Sequence, residues 1–229
     1  MGPYGRYAIY YTPAPGAFTE AMAGWLGWDP ATGRRCTPPD LPGLPAPVAE
    51  ITATPRRYGF HATLKPPFRL ASGSTPARLR ADLEALAAAM APARVPGLKL
   101  APLGGFLALV PEGDSAGLAR LAAETVAGLD HHRAPAPAEE TTRRRAAGLS
   151  PRQEAHLATW GYPYVMDDFR FHLTLTGHLA PAALAATATA LEGLIAPVLP
   201  EPFAVDALSL MGEDRQGDFH LLHRVALTG

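Results

Sequence analysis

The sequence predicts an α+β protein in which two antiparallel sheets flank a central cleft, with helices on the outside. Two observations support this fold class. A histidine followed two places later by Thr-Leu occurs twice, in YGFHATLKPPF at 58–68 and FRFHLTLTG at 169–177, although 229 residues include only eight histidines. Each copy lies in a strand-like segment that is followed by a helix-like segment and two further strand-like segments around a turn. This order predicts a bilobal, pseudo-symmetric single domain over residues 1–229.

The elements of the first half follow from composition and spacing. RYAIYYTP at 6–13 is rich in aromatic and β-branched residues and predicts a strand, after which FTEAMAGWLGW predicts a short helix. Residues 36–55 carry many prolines and predict a surface loop. Thr75 has the position of an N-cap before Pro76, and apolar residues at helical spacing follow. LKLAPLGGFLALVP then predicts two strands around a Gly-Gly turn, which completes a first unit at about 58–111.

The second half repeats this order. FRFHLTLTGHL predicts a strand, Pro181 begins a helix, and FAVDALSLM and FHLLHRVAL predict two strands around the turn EDRQGD. We interpret 58–111 and 169–227 as an internal duplication with too few copies for a solenoid. The insert at about 112–168 contains a helix near SAGLARLAAETVAGL, an Ala/Pro/Glu loop, and a helix that a Ser150–Gln153 capping box begins.

Composition excludes several classes of protein. The net charge of −1 argues against broad binding of duplex nucleic acid, although an RNA end held by a few residues stays open. The single cysteine, Cys36, rules out an intramolecular disulfide and a cysteine-rich zinc site. The N-terminal stretch lacks a signal-peptide core, and no apolar run has the ~20 residues that span a bilayer. We therefore expect a cytoplasmic protein that does not bind membranes.

The repeated motif carries the candidate chemistry. Alternate side chains of a strand share a face, so His61, Thr63 and Lys65 are expected on one face of the first copy. Arg170, His172 and Thr174 are expected together on the second. Two imidazoles with hydroxyls and cations suit phosphate esters, because one ring accepts a proton while the other donates one. No metal or cofactor is required for this chemistry.

HATL at 61–64 and HLTL at 172–175 resemble the paired motifs of the two-histidine (2H) phosphoesterases, which include LigT-like RNA cyclic phosphodiesterases. The longer strings RYAIYYTP, RRYGFHATLKPPF, LGGFLALVP and DDFRFHLTLTG look more closely like a bacterial branch encoded with carbon–phosphorus lyase genes. The resemblance implies a 2H phosphoesterase-like fold with both histidines in the cleft. It implies acid/base roles for His61 and His172 and phosphate contacts for Thr63 and Thr174. The 111-residue spacing between the histidines exceeds that expected for compact RNA-processing members.

The hypothesis from the sequence is a metal-independent phosphoesterase acting on a cyclic or small-metabolite phosphodiester and linked to phosphonate use. A cyclic ribosyl phosphate is an attractive candidate on the resemblance alone. An RNA 2′,3′-cyclic phosphodiesterase and a non-catalytic phosphate-binding protein stay open as alternatives.

The sequence also suggests further contacts in the cleft. Lys65, Arg170 and Tyr164, the last in the aromatic WGYPYVMDDF, are candidate substrate contacts. The pair His131-His132 lies at a predicted helix end, where a cationic side chain suits the dipole. A metal site that combines Asp167 or Asp168 with His172 is a weaker alternative, because zinc usually takes three or four protein ligands.

Overall fold

The computed structural model describes residues 4–229. The strands in this range are β1 (Arg6–Tyr11), β2 (Trp28–Asp29), β3 (Arg34–Arg35), β4 (Ala62–Phe68), β5 (Ala93–Val95), β6 (Leu98–Leu103), β7 (Phe106–Pro111), β8 (Leu173–Thr174), β9 (Phe203–Val205), β10 (Ala207–Glu213) and β11 (Phe219–Ala226). The α-helices are α1 (Ala17–Leu26), α2 (Val48–Ile51), α3 (Ala53–Arg56), α4 (Pro76–Ala88), α5 (Ala116–Gly128), α6 (Ala138–Arg145), α7 (Pro151–Trp160) and α8 (Pro181–Ile195). Short 3₁₀ turns occupy Asp130–His132, Met166–Asp168 and Ala196–Val198.

The central sheet has seven strands in the order β11-β10-β1-β4-β8-β7-β6, and its pairs are antiparallel. It consists of two arms, β11-β10-β1-β4 and β8-β7-β6, which one residue pair, Ala62 with Leu173, joins. The predicted α+β class with antiparallel sheets is therefore confirmed. β4, from the first half of the chain, belongs to the arm that contains the second-half hairpin β10–β11. β8, from the second half, belongs to the arm that contains the first-half hairpin β6–β7. Sheet topology, and not chain order, thus brings β4 and β8 side by side.

The helices pack on one face of the sheet and form the main core. Leu79 and Leu83 of α4 and Leu191 and Ile195 of α8 are buried there, as their helical spacing predicts. The Thr75 side chain accepts a hydrogen bond from the Arg78 amide at 3.2 Å, so the predicted N-cap of α4 is present. The opposite face of the sheet is left for a smaller group of buried residues, which are Ala8, Tyr10, Met211 and Phe219.

Two segments that were predicted to be loops contain helices in the structure. The proline-rich stretch contains the one-turn helices α2 and α3, because Val48 and Ile51 bury their side chains in the core and thereby order the chain. The acidic and basic residues of α6 form a helix where a loop was predicted. In α7, the Ser150–Gln153 capping box is confirmed, with hydrogen bonds of 3.3 and 3.0 Å.

Pro181–Val198 is the one stretch within residues 4–229 that is long and apolar enough to cross a membrane by length and composition alone. Core helices of soluble proteins satisfy the same criterion, so this observation is weak evidence for a membrane segment. Leu191 and Ile195 of this stretch contribute to the core described above.

Candidate active site

The two motif histidines lie on either side of the junction between the arms. His61 directly precedes β4 and His172 directly precedes β8, and the paired residues Ala62 and Leu173 follow them. Ala62 and Leu173 are buried on the helix side of the sheet. Because side chains alternate along a strand, both histidines are directed to the opposite face.

The two motif threonines complete a compact group with the histidines. Extending the antiparallel register by one residue on each side of the Ala62–Leu173 pair places His61 opposite Thr174 and Thr63 opposite His172. Residues directly opposite on one face lie within about 5.5 Å, and diagonal neighbours within roughly 7–8 Å. The four side chains of the duplicated motif therefore lie on one face of the sheet, in a pseudo-twofold arrangement around a single backbone pair.

Matched hydrogen bonds hold the two imidazoles. His61 Nδ1 lies 2.9 Å from the carbonyl oxygen of Gly59, and His172 Nδ1 lies 2.7 Å from that of Arg170. A carbonyl can only accept, so each Nδ1 carries the proton and each Nε2 is left free for chemistry. The Thr63 hydroxyl lies 3.3 Å from Nε2 of His61 and can donate to it.

Glycine is required at position 59 for this geometry. Its backbone adopts φ +70°, and a Cβ there would lie 2.6 Å from the ring of Pro30. The left-handed conformation is accessible to glycine at little cost. It turns the chain so that the Gly59 carbonyl meets the ring of His61.

Partial burial disfavours the charged form of both imidazoles. Desolvation is the largest cause that lowers the pKa of His61 to about 4, and positive charge on His172 also lowers it, whereas the hydrogen bond that His61 donates to the Gly59 carbonyl raises it. Desolvation also lowers the pKa of His172, although the bond to the Arg170 carbonyl raises it. Aromatic rings supply part of this environment: Tyr10 stacks on His61 at 3.9 Å, and Phe106 lies 5.8 Å from His172.

The first cavity, of about 460 Å³, lies over His61. Among its lining residues are Arg6, Arg143 and Arg144, together with Thr63 and Thr174. None of the residues that line it is an Asp or Glu. Arg6 is paired with Glu213 and Arg144 with Glu140. The hydroxyls and the arginine N–H groups not used in these pairs favour an anionic group such as a phosphate in this cavity.

The second cavity, of about 610 Å³, lies over His172. It shares Thr63, Pro66, Phe106 and Tyr162 with the first cavity, so the two adjoin along that wall. Arg170 and Tyr164 both line it, and Tyr164 is 44% exposed. Two of the predicted substrate contacts are therefore next to His172.

Lys65 is not part of either cavity, which corrects the expectation that it faces the substrate. Ile9 of β1 pairs with Lys65 and Tyr10 pairs with Thr63, so one step of β1 spans two residues of β4. This β-bulge interrupts the alternation and turns Lys65 toward α5. There the side chain is 1% exposed, and Nζ donates to Asp130 at 2.8 Å and to the Val126 carbonyl at 3.1 Å.

The alternative metal site with His172 is not formed. The carboxylate of Asp168 lines the second cavity, but Arg152 donates to its two oxygens at 2.8 and 3.0 Å. Nδ1 of His156 lies 3.3 Å from the same carboxylate. These contacts make Asp168 a partner of α7 within the described residues.

Several residues of the site come from outside the motifs. They are Arg6, Tyr10, Phe106, Arg144 and Tyr162. Alternation along RYAIYY places Arg6 and Tyr10 on one face of β1, so a signal for them is present in the sequence. Only the pairing of β1 with β4 makes that face part of the site.

Arg144 carries a guanidinium donor that the described residues leave without a partner. It pairs with Glu140 and lies over the ring of Tyr162 at 4.7 Å, yet its buried Nε has no hydrogen-bond partner among the described residues. We expect Arg144→Met to raise the KM for a phosphate ester about 10- to 100-fold, because a hydrogen bond to a charged group contributes ~1.5–3 kcal/mol. Steady-state kinetics would measure this change.

Arg145→Met is the matched control for this substitution. Arg145 is on the same helix but pairs with Glu154 and does not line the first cavity. Equal KM values for the two variants would contradict a phosphate contact by Arg144.

Comparison with known proteins gives relatives and structural neighbours. Residues 63–220 match a family described as "Protein of unknown function (DUF1045)". The chain is 38% identical over 218 residues to a protein of Janthinobacterium sp. named ribose 1,5-bisphosphate phosphokinase PhnN, covering 93% of this chain and 48% of that protein. It is also 38% identical over 219 residues to a protein of the same name from Laribacter hongkongensis, covering 93% and 49%. The chain thus spans about half the length of the curated relatives it matches.

The structure is similar to that of Escherichia coli LigT in apo form, with 16% identity, a TM-score of 0.46 and full coverage of both chains. LigT has also been solved with 3′-AMP, ATP and phosphate. Because the matching family model covers more than half of the sequence, including His172 and both motif threonines, the chain belongs to the DUF1045 family.

Proposed function

We propose that the protein is a metal-independent phosphoesterase that opens a cyclic phosphodiester of a small phosphorylated metabolite. The observation that carries this proposal is the pair of imidazoles with free Nε2 atoms on either side of one backbone pair, beside an arginine-lined cavity. Paired imidazoles allow one ring to remove a proton from water and the other to protonate the leaving oxygen.

His61 fits the role of base and His172 that of acid. Nε2 of His61 takes a proton from water as the water oxygen bonds to phosphorus. The ring P–O bond then breaks, and the leaving oxygen receives the proton that His172, in its imidazolium form, carries on Nε2. Burial and positive charge on His172 lower the pKa of His61 to about 4, so His61 is the ring that stays neutral when His172 is protonated.

Thr63, Thr174 and the arginines stabilise the charge that gathers on the non-bridging oxygens. Both threonines and all three arginines line the first cavity, where the phosphate would lie. One well-placed donor of this kind contributes ~3 kcal/mol to the transition state. The protein groups therefore supply proton transfer and charge stabilisation without a metal ion.

The curated relatives support a ribosyl substrate. Their printed name refers to ribose 1,5-bisphosphate, and this chain matches only about half of each. The two lysines of this chain, Lys65 and Lys99, do not stand in the Gly-rich G-x-x-x-x-G-K-[ST] loop that holds phosphates in many kinases. We infer that the half of these relatives that this chain matches performs a step other than phosphorylation on the same kind of sugar.

Opening a ribose 1,2-cyclic phosphate that also carries a 5-phosphate, by breaking the bond from phosphorus to O2, yields ribose 1,5-bisphosphate. The substrate then holds two phosphates, which matches cations in both cavities: three arginines in the first and Arg170 in the second. We place this step in the cytoplasm and link it to phosphonate utilisation.

Turnover on a matched panel, in the presence of EDTA, tests the proposal. The panel holds ribose 1,2-cyclic phosphate with and without a 5-phosphate, a 2′,3′-cyclic nucleotide, and an RNA that ends in a cyclic phosphate. ³¹P NMR of the product identifies the bond that breaks. We expect the 5-phosphorylated sugar to be the best substrate. Preference for the RNA would favour an RNA phosphodiesterase, and tight binding without turnover would favour a binding protein.

The pH dependence follows from the two lowered pKa values. The base works only above the pKa of His61, about 4, and the acid works only below the pKa of His172, which burial holds under its ordinary 6.5. The value of kcat/KM should therefore rise through about pH 4 and fall again below or near pH 6.5. We expect a maximum on the acid side of neutrality and, beyond it, a tenfold loss per pH unit.

Initial rates at constant ionic strength would give this profile, with unfolding followed at each pH as the control. The residual activity of His172→Gln should lack the alkaline limb, since that variant has no titrating acid. A profile that is flat from pH 4 to 8 would contradict the assignment.

A further inference from the structure

A second cluster of histidines lies away from the cleft, at the junction of α4 with the 3₁₀ turn after α5. Nε2 of His131 and Nε2 of His132 lie 3.1 and 2.9 Å from the same carboxylate oxygen of Asp82. The three ligand-type atoms all lie within 4.8 Å of one another. None of these residues lines the first or second cavity. A favourable interaction of His131 or His132 with a helix dipole does not explain why both imidazoles contact the same oxygen of Asp82.

The buried member of the cluster is held by its other nitrogen. His132 is 2% exposed, and its Nδ1 contacts the hydroxyl of Ser74. This contact fixes the orientation of the ring and leaves Nε2 directed at the shared point. Metal-binding histidines typically have such a partner on the second nitrogen. It is an observation independent of the distances among the three ligand atoms.

The donor set and spacing suit a first-row divalent metal. Two imidazole nitrogens and one carboxylate oxygen are a ligand set used for zinc, with water at the fourth position. Ligand atoms of a tetrahedral zinc ion at about 2.0–2.1 Å lie roughly 3.3 Å apart. The observed 3.1 and 2.9 Å are close to this separation, so small side-chain movements admit an ion.

We propose that Asp82, His131 and His132 bind one Zn²⁺ ion that ties α4 to the turn after α5. The ion replaces the two hydrogen bonds to Asp82 with coordinate bonds. The site is separate from His61 and His172, since none of its three residues lines either cavity. It therefore does not depend on the proposed function, and the cleft chemistry does not depend on it.

The test is titration of tag-free, EDTA-dialysed protein with Zn²⁺, followed by calorimetry and thermal unfolding. We expect one ion per chain and a rise in Tm of about 5–10 °C when zinc is a hundredfold above its Kd. Co²⁺ in place of Zn²⁺ should give the visible absorption of a tetrahedral site.

Asp82→Asn and His131→Gln should each weaken Zn²⁺ binding at least tenfold. Both side chains are at least half exposed, so the variants are expected to fold. Glu84→Gln is the matched control, because its carboxylate belongs to the same helix but contacts Arg80 and His223. A His61→Ala/His172→Ala variant should bind zinc as the wild type does. No binding by the wild type, or binding lost only in that double variant, would overturn the proposal.

Discussion

His61→Asn and His172→Asn are each expected to lower kcat by about 10²- to 10⁴-fold, the usual contribution of a positioned acid or base. Asparagine can still donate from its side-chain amide to the carbonyl of Gly59 or Arg170, the contact that each Nδ1 makes. It cannot transfer a proton from the position of Nε2. KM should change much less than kcat, because the arginines of the first cavity remain.

His223→Asn is the matched control for these two variants. His223 lies on β11, pairs with Glu84 at 2.9 Å and lines neither cavity. Its activity should equal that of the wild type, and thermal unfolding of all three variants would show that they are folded. Imidazole added to His61→Ala or His172→Ala should restore part of the lost rate. Full kcat in either motif variant would rule out the paired-histidine mechanism.

Asp130→Asn is expected to lower the free energy of unfolding by about 3–5 kcal/mol, because it leaves the Lys65 ammonium buried without its carboxylate. Lys65 is 1% exposed, and burial already lowers its pKa against the stabilising effect of Asp130. Urea unfolding monitored by circular dichroism would measure the loss. Glu84→Gln, which removes the partner of the exposed Arg80, should change stability far less.

Lys65→Met separates a structural role from substrate binding. It removes the buried charge instead of leaving it unpaired, and Asp130 retains its two bonds to Arg133 at 2.8 Å. We expect a smaller loss of stability than in Asp130→Asn. We also expect kcat/KM within about threefold of the wild type, because Lys65 lines neither cavity. A folded Lys65→Met protein that loses more than tenfold in kcat/KM would restore Lys65 as a substrate contact.

Patterns of short range predicted most of the secondary structure. Residues close together in the sequence predicted the Thr75 cap, the Ser150 capping box and the apolar spacing of α4 and α8. The structure contains all of these features. The face shared by His61 and Thr63 also follows from local alternation. Lys65 did not follow this alternation, because a β-bulge interrupts the pairing of β4 with β1. The bulge depends on the register between these two strands, which lie more than fifty residues apart in the chain.

The sequence by itself determined the chemistry-bearing residues and their spacing: a histidine and a threonine two apart, twice, on the polar side of a strand. Strand geometry makes this a local property. The tertiary structure alone decided that the Ala62–Leu173 pair brings the two copies together, and that Arg6 and Arg144 lie beside them. These neighbours come from segments far apart in the chain, and their positions are set by which apolar faces bury one another. That long-range burial cannot be deduced from any single stretch of sequence.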